Sequence, residues 1–267
     1  MNDPNSGQLE REAGRAIFGA DAAGYHAGRI GYPDELYDIV FADVPAEPDV
    51  LEIGTGTGLV TQALLERGVR TLVAVEPSSE LVAYTRARLP DPRLTLITAP
   101  FPDVAIADRF DLAVCAAAFH WMDPDAALAR VKTLLRPGGR WAVWWNSYRN
   151  HGVGDALADR ITPLLEGIAL PPSDRPHGHY ALDVAHHLGL LERAGFTDVR
   201  SYVFRRERTM SAAQVRALYE SYSYIRLLPD DQRRALIDRI VMIVEDEFTG
   251  EAPNVTLTGL YTGHLPR

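Results

Sequence analysis

The sequence predicts an α/β protein: a three-layer, doubly wound, mostly parallel sheet of seven strands, with a helical lid inserted between the last two strands. Three observations support this prediction. Short apolar runs alternate with helix patterns between residues 50 and 145, as expected for a parallel sheet covered on both faces. A glycine-rich turn, residues 54–58, follows the first run. A helical stretch, residues 207–250, separates two late strand patterns.

The strands and helices can be placed from local patterns. Apolar or alternating runs predict strands at 50–53, 71–76, 93–97, 110–116, 141–145, 199–204 and 255–260. Capping residues and helical periodicity predict helices that begin near residues 34, 59, 78, 123, 155, 183, 212 and 229. Ser78, Asp123 and Ser211 carry side-chain oxygens suited to capping the first turn.

The composition narrows the classes of protein to which the chain can belong. With 267 residues, 46% of them hydrophobic and 24% charged, the chain resembles an ordinary soluble globular protein. A formal net charge of −9 argues against binding to a nucleic-acid backbone. No apolar run approaches the length of a membrane span, and the start lacks a signal-peptide pattern, so we expect a cytoplasmic monomer or homodimer. The single cysteine, Cys115, excludes an intrachain disulfide, and its apolar surroundings predict a buried, inert thiol.

The glycine turn indicates a ligand site, because glycine allows positive φ and leaves the backbone open to a ligand. Gly54, Gly56 and Gly58 form a G-x-G-x-G pattern. A dinucleotide fingerprint, G-x-G-x-x-G, needs its third glycine where Leu59 stands. A phosphate-binding loop of the Walker type needs a Gly-Lys-Ser/Thr sequence, which does not follow here.

The pattern resembles the seven-strand, class I methyltransferases that use S-adenosylmethionine. The resemblance covers residues 49–206 and rests on Glu52 to Gly58, on Glu76 at the end of the second strand, and on Leu135-Arg136-Pro137-Gly138-Gly139 before the fifth. Ala194-Gly195-Phe196 agrees with it. The chain is closer to the methyltransferase type 11 group, which shares Tyr-x-x-x-Arg-x-x-Tyr-Pro (Tyr25 to Pro33) and Ala-Phe-His-Trp (Ala118 to Trp121).

The resemblance implies methyl transfer from S-adenosylmethionine to a small organic acceptor by direct displacement, without a metal. Two alternatives stay open: a protein of the same fold that binds the cofactor without catalysis, and an NAD-dependent oxidoreductase. The implied organisation is an N-terminal helical cap (1–45), a cofactor-binding core (46–206), a helical lid or acceptor-binding insertion (207–250) and a last core strand (251–267). A small-molecule acceptor is the expected partner, with no nucleic acid or membrane.

The resemblance also implies which residues hold the cofactor. The Glu76 carboxylate would accept hydrogen bonds from the ribose hydroxyls. The planar guanidinium of Arg29 would bind the cofactor carboxylate through two hydrogen bonds. Glu52 is expected to meet either a buried donor or the cofactor ammonium. The other expected cofactor contacts are Tyr25, Gly54, Thr55, Gly56, Gly58, Pro77, Ala99, Pro100, Phe101, Ala117, Ala118 and Phe119.

The sequence says less about the residues that bind the methyl acceptor. His120 is the candidate base if the acceptor must lose a proton, and its alternative role is to hold the loop by hydrogen bonds. The expected substrate-binding residues are Tyr32, Trp121, Trp145, Tyr148, Tyr180 and Tyr222. A Pro- and His-bearing loop is expected at residues 170–180. His177, His179, His186 and His187 lack a cysteine or acid at ligand spacing, so we expect them to line a cavity rather than to bind a metal.

Overall fold

A computed structural model describes residues 21–101, 103–148, 154–168, 174–175 and 178–267. The predicted stretch 1–20 of the N-terminal cap, most of the 170–180 loop and His177 lie outside these residues. For His179 the description covers the backbone alone.

Seven strands form one sheet, and their order confirms the predicted topology. The strands are β1 (Asp49–Ile53), β2 (Thr71–Glu76), β3 (Leu94–Thr98), β4 (Phe110–Ala116), β5 (Leu135–Ser147), β6 (Thr197–Ser211) and β7 (Glu251–His264). Their order across the sheet is β3-β2-β1-β4-β5-β7-β6. All neighbouring pairs from β3 to β5 are parallel, while β7 runs antiparallel to both β5 and β6. The order reverses at β1 and β4, which is where open α/β sheets bind ligands.

The helices connect these strands and cover both faces. They are α1 (Ala22–Gly28), α2 (Asp34–Phe41), α3 (Leu59–Glu66), α4 (Ser79–Arg88), α5 (Pro124–Leu134), α6 (Ala156–Ile161), α7 (Val184–Arg193), α8 (Ala212–Glu220), α9 (Ser223–Arg226) and α10 (Asp230–Glu247). Side chains of Ser78, Asp123 and Ser211 cap α4, α5 and α8, as their sequence positions predict. Within the described chain, no helix has the length and apolar character needed to cross a membrane.

Alternation along each strand divides the core between the two sheet faces. On one face, Trp141 and Trp145 pack with residues of α5 and α7. On the other face, Trp144 packs with residues of α2 and α3. Cys115 is fully buried on the first face, and burial raises the pKa of its thiol well above the usual range, which agrees with an inert thiol.

Strands β5, β6 and β7 extend well beyond the predicted ranges. Strand β6 continues to Ser211 and pairs with β7 along its whole length, so the helices between them begin at Ala212 rather than at residue 207. Strand β5 begins at Leu135, directly after α5 and before the Pro-Gly-Gly sequence. Helices α8 to α10, with α6, enclose their own apolar cluster, which we call the helical lobe. Helix α1 packs against it: a Cβ on Gly28 would lie 2.1 Å from the Ala217 carbonyl oxygen.

Candidate active site

A cavity of about 240 Å³ opens at the carboxyl ends of β1, β2, β4 and β5. The glycine turn after β1 forms its floor, and Gly54, Gly56 and Gly58 all have positive φ, at +80°, +56° and +78°. The Gly54 N–H donates to the carbonyl oxygen of Val75 at 2.8 Å, which ties the turn to β2. A Cβ on Gly54 would lie 2.3 Å from the Cβ of Ala118. Only glycine fits this close approach of two loops.

Gly54→Ala should therefore lower the free energy of unfolding by about 3 kcal/mol, as the sum of positive-φ strain and overpacking. Urea denaturation measures this change. Gly68→Ala is the matched control: Gly68 also has φ +80°, but a Cβ added there would meet no atom of the described chain within 4 Å beyond its own neighbours. We expect that control to cost about 1 kcal/mol. Equal costs for the two variants would contradict the close approach of Gly54 and Ala118.

Glu76 holds the glycine turn from the end of β2. Its Oε2 accepts from the Gly56 N–H at 2.9 Å, and its Oε1 accepts from the Ser78 N–H at 3.1 Å. The side chain is buried and lines the cavity. Each carboxylate oxygen has two lone pairs, so Glu76 can accept ligand hydroxyls in addition to these backbone donors.

Glu52, inside β1, also reaches the cavity wall. Its Oε2 accepts from the Thr61 hydroxyl at 2.7 Å. Burial raises the pKa of Glu52 to about 8, and the nearby charge of Glu76 adds to the effect. Glu52 therefore carries its proton at neutral pH. A cation placed beside it would favour the ionised form.

Arg29 follows α1, and its guanidinium lies inside a ring of tyrosines. Its carbon Cζ is 4.8 Å from the ring centre of Tyr25, 5.4 Å from that of Tyr222 and 5.7 Å from that of Tyr148. One amino group donates to the carbonyl oxygen of Ser221 at 3.0 Å. Within the described parts of the chain, no carboxylate pairs with Arg29, and its buried Nε has no hydrogen-bond partner. An anionic ligand group would complete this site.

His120 lies on a short 3₁₀ turn, Phe119–Trp121, between β4 and α5. The Nε1 of Trp145 donates to His120 Nδ1 at 3.0 Å. An indole nitrogen can only donate, so Nδ1 is the acceptor and the neutral ring carries its proton on Nε2. In this tautomer Nε2 cannot take a proton. The geometry therefore favours His120 as a hydrogen-bond donor over the general base that the sequence suggested.

Most of the predicted site residues line this one cavity. The cofactor-side residues among them are Tyr25, Arg29, Glu52, Gly54, Thr55, Gly56, Glu76, Pro77, Pro100, Phe101, Ala117 and Ala118. The acceptor-side residues among them are Tyr32, His120, Trp121, Trp145, Tyr148 and Tyr222. Their proximity is a structural result, and their individual roles stay predictions.

Four predicted residues do not line the cavity, and each has a structural reason. Phe119 points into the core, where its ring packs 5.8 Å from that of Trp141. Gly58 starts α3, and a Cβ there would lie 2.8 Å from the Thr85 side chain. Ala99 donates its N–H to the carbonyl oxygen of Glu76. Tyr180 lies behind the wall, with its ring 5.1 Å from that of Trp145.

Asn146 is a wall residue that was not predicted from the sequence. It follows Trp145 near the carboxyl end of β5, and this position was the available signal. Its Nδ2 donates to the Ile30 carbonyl oxygen at 3.1 Å and its Oδ1 accepts from Thr258 at 2.6 Å. It thereby connects the segment after α1 to the sheet. Met122 and Ser223 also line the cavity without having been predicted.

The predicted histidine lining is not found for the two residues on α7. His187 is buried, stacks on Trp145 at 4.8 Å, and its Nε2 lies 2.8 Å from the Tyr180 carbonyl oxygen. His186 lies beside it, with ring centres 5.2 Å apart. His187 therefore supports Trp145 from behind, and His186 packs against His187. Among the residues that the structure describes, no group of three or more His, Cys, Asp or Glu side chains is arranged to hold a metal.

Comparisons with known proteins agree with this fold. Residues 51–143 match the family model described as a methyltransferase domain. An uncharacterized methyltransferase of Mycobacterium tuberculosis is 37% identical over 160 residues, which are 54% of this chain and 63% of that protein. An uncharacterized methyltransferase-like protein of Schizosaccharomyces pombe is 25% identical over 226 residues, which are 81% of each chain.

Solved structures show the same architecture. A protein of Anaeromyxobacter dehalogenans, described as a type II methyltransferase, superimposes with a TM-score of 0.67 at 24% identity and covers 90% of this chain and 99% of its own. The Haemonchus contortus phosphoethanolamine N-methyltransferase 2, solved with S-adenosylhomocysteine, gives a TM-score of 0.52 at 14% identity over 95% of this chain and 58% of that one.

The matched region contains part of the site. The family match includes the glycine turn, Glu76 and the turn that carries His120. The chain covers less than two thirds of the length of the mycobacterial relatives, so the comparison speaks for the domain rather than for their whole activity. On this basis, residues 51–143 are similar to the methyltransferase domain family, and the fold around them is the seven-strand α/β fold of the methyltransferase structures.

Proposed function

We propose that this protein transfers a methyl group from S-adenosylmethionine to a small organic acceptor by direct displacement, without a metal. One observation carries the proposal: the cavity has a carboxylate, Glu76, anchored to the glycine turn, and a buried guanidinium, Arg29, for which the described residues provide no carboxylate. A ribose diol fits the first group, and an amino-acid carboxylate fits the second.

The residues of the cavity fit the remaining parts of the cofactor. Pro100, Phe101 and Leu81 give an apolar surface for the adenine ring near Glu76. Glu52 is placed to meet the ammonium group, since a neighbouring cation would favour its ionised form. When bound, S-adenosylmethionine supplies a methyl group already activated by its sulfonium.

The protein itself then aligns the acceptor with the methyl–sulfur bond of the cofactor and excludes water from the site. Trp121, Trp145 and Tyr148 form walls that hold an acceptor near the turn between β4 and α5. His120, fixed by Trp145, presents the tautomer that donates from Nε2. His120 therefore orients the acceptor by donating a hydrogen bond, and the chain's role is positioning rather than proton removal by this imidazole.

Binding of S-adenosylhomocysteine, titrated by calorimetry, tests the proposal. Arg29→Ala should weaken this binding by about tenfold to a hundredfold, because a charge-assisted pair to the carboxylate is lost. The same variant should leave the affinity for 5′-methylthioadenosine unchanged, since that compound lacks the amino-acid part.

Arg226→Ala provides the control. Arg226 lies in the helical lobe with a largely buried side chain, but it does not line the cavity. It should leave both affinities within about twofold. Failure of the folded wild-type protein to bind S-adenosylhomocysteine, or equal binding of a nicotinamide dinucleotide, would contradict the proposed cofactor. Binding without turnover across a broad acceptor panel would favour the non-catalytic alternative.

A further inference from the structure

Part of the cavity lining is built from aromatic rings. We call Trp121, Tyr148, Tyr222 and Tyr224 the aromatic wall; all four line the cavity. The rings of Tyr222 and Tyr224 are nearly parallel, at 14°, with centres 5.3 Å apart. The Tyr148 ring centre lies 6.0 Å from that of Tyr222. Tyr222 and Tyr224 thus stack on each other next to Tyr148, and such a cluster of rings favours a planar ligand, because offset stacking and burial both favour planar rings.

The charges of the cavity argue for an uncharged ligand beside this wall. In the described lining, Glu76 and Arg29 are the charged residues, since Glu52 carries its proton at neutral pH. Its guanidinium already faces the rings of Tyr148 and Tyr222, so a ligand ammonium there would meet a fixed positive charge. An anionic ligand would compete with the cofactor carboxylate for Arg29. A neutral ligand avoids both conflicts.

The hydroxyl of Tyr222 gives the wall a polar contact. The Tyr222 side chain is 7% exposed and lines the cavity. Its hydroxyl has no hydrogen-bond partner within the described ranges of the chain. Burial raises the pKa of Tyr222 well above its usual range, so the hydroxyl keeps its proton and can donate. A buried hydroxyl without a partner is costly, and a ligand oxygen would satisfy it.

We propose that the acceptor is an uncharged, planar aromatic compound with a hydroxyl group, stacked on the aromatic wall and hydrogen-bonded to Tyr222. This inference rests on the proposed function, since it takes Arg29 to be occupied by the cofactor carboxylate. It narrows the acceptor from any small organic molecule to a phenol-like class, and it excludes amines and carboxylates of the same size. On transfer, the methyl–sulfur bond breaks as the acceptor gains the methyl group, the sulfur is left as the thioether of S-adenosylhomocysteine, and the proton of the acceptor passes to solvent.

Three probes of equal shape test the proposal: 2-naphthol, 2-naphthoate and 2-naphthylmethylammonium. Each is titrated into the full-length protein saturated with S-adenosylhomocysteine. We expect 2-naphthol to bind at least tenfold more tightly than either charged probe. Tyr222→Phe should weaken 2-naphthol about tenfold and leave naphthalene, which cannot form the hydrogen bond, unchanged.

Tyr219→Phe is the matched control, because Tyr219 is buried one turn away in the same lobe but does not line the cavity. It should leave the affinity for 2-naphthol within about twofold. A charged probe that binds as well as 2-naphthol, or a Tyr222→Phe variant with unchanged affinity, would overturn the proposal. If S-adenosylhomocysteine itself fails to bind, the proposed function fails; if it binds and 2-naphthol does not, only the acceptor class fails.

Discussion

Glu76→Ala is expected to weaken the binding of S-adenosylhomocysteine by about a hundredfold, or roughly 2.7 kcal/mol. The variant loses the carboxylate proposed to accept from the ribose hydroxyls. It also leaves the Gly56 and Ser78 N–H groups without their acceptor, which loosens the turn. Isothermal calorimetry measures the loss of affinity for S-adenosylhomocysteine. The same titration with adenosine should show a similar loss of affinity, because adenosine keeps the ribose.

The matched control is Glu80→Ala. Glu80 lies four residues further along, in the first turn of α4, and is exposed to solvent. It should leave the affinity within about twofold. A Glu76→Ala variant that stays folded and binds S-adenosylhomocysteine as tightly as the wild type would show that this carboxylate does not meet the cofactor.

Glu52→Gln is expected to stabilise the protein increasingly as the pH rises. The pKa of Glu52 is about 8 in the folded protein, against 4.5 for an ordinary glutamate. Between these values the folded state holds one more proton than the unfolded state, so the wild-type free energy of unfolding falls as the pH rises. The slope from this one group is about 1.4 kcal/mol per pH unit. Glutamine has no such proton and still offers an oxygen to Thr61.

The measurement is the difference in the free energy of unfolding between Glu52→Gln and the wild type, by urea denaturation from pH 5 to pH 9. The difference should grow up to about pH 8 and then stay level. Glu66→Gln, at an exposed position of α3, makes the same chemical change without the burial and should give a difference that does not vary with pH. A constant difference for Glu52→Gln would contradict a protonated buried carboxyl.

The sequence predicted the features that are determined by residues close together in the chain. The glycine turn, the strand-end position of Glu76 and the caps of the helices follow from local patterns, and the mostly parallel character of the sheet follows from alternating strands and helices. Tyr25 and Arg29 are four residues apart, and this spacing places two side chains on one face if the segment is helical. In the structure Arg29 is the residue after α1, and its guanidinium indeed lies over the Tyr25 ring.

What the sequence left open depends on distant residues. The tautomer of His120 is fixed by Trp145, which lies on another strand. The contact between Arg29 and the Ser221 carbonyl oxygen joins positions 192 residues apart. Phe119 and His120 are adjacent on a 3₁₀ turn and point to opposite sides, one to the core and one to the cavity. No periodicity in a three-residue turn reveals which side each residue takes.

Several residues of the cavity wall come from a later stretch of the chain than the glycine turn. The glycine turn, Glu76 and Phe101 lie within residues 51–143, whereas Asn146, Tyr148, Tyr222 and Tyr224 lie beyond them. The hydrogen bonds of the glycine turn are made to Val75 and Glu76, so changes at the three tyrosines leave those bonds in place. Libraries aimed at a new acceptor therefore belong at Tyr148, Tyr222 and Tyr224, whereas Asn146 should be kept because it connects the sheet to the segment after α1.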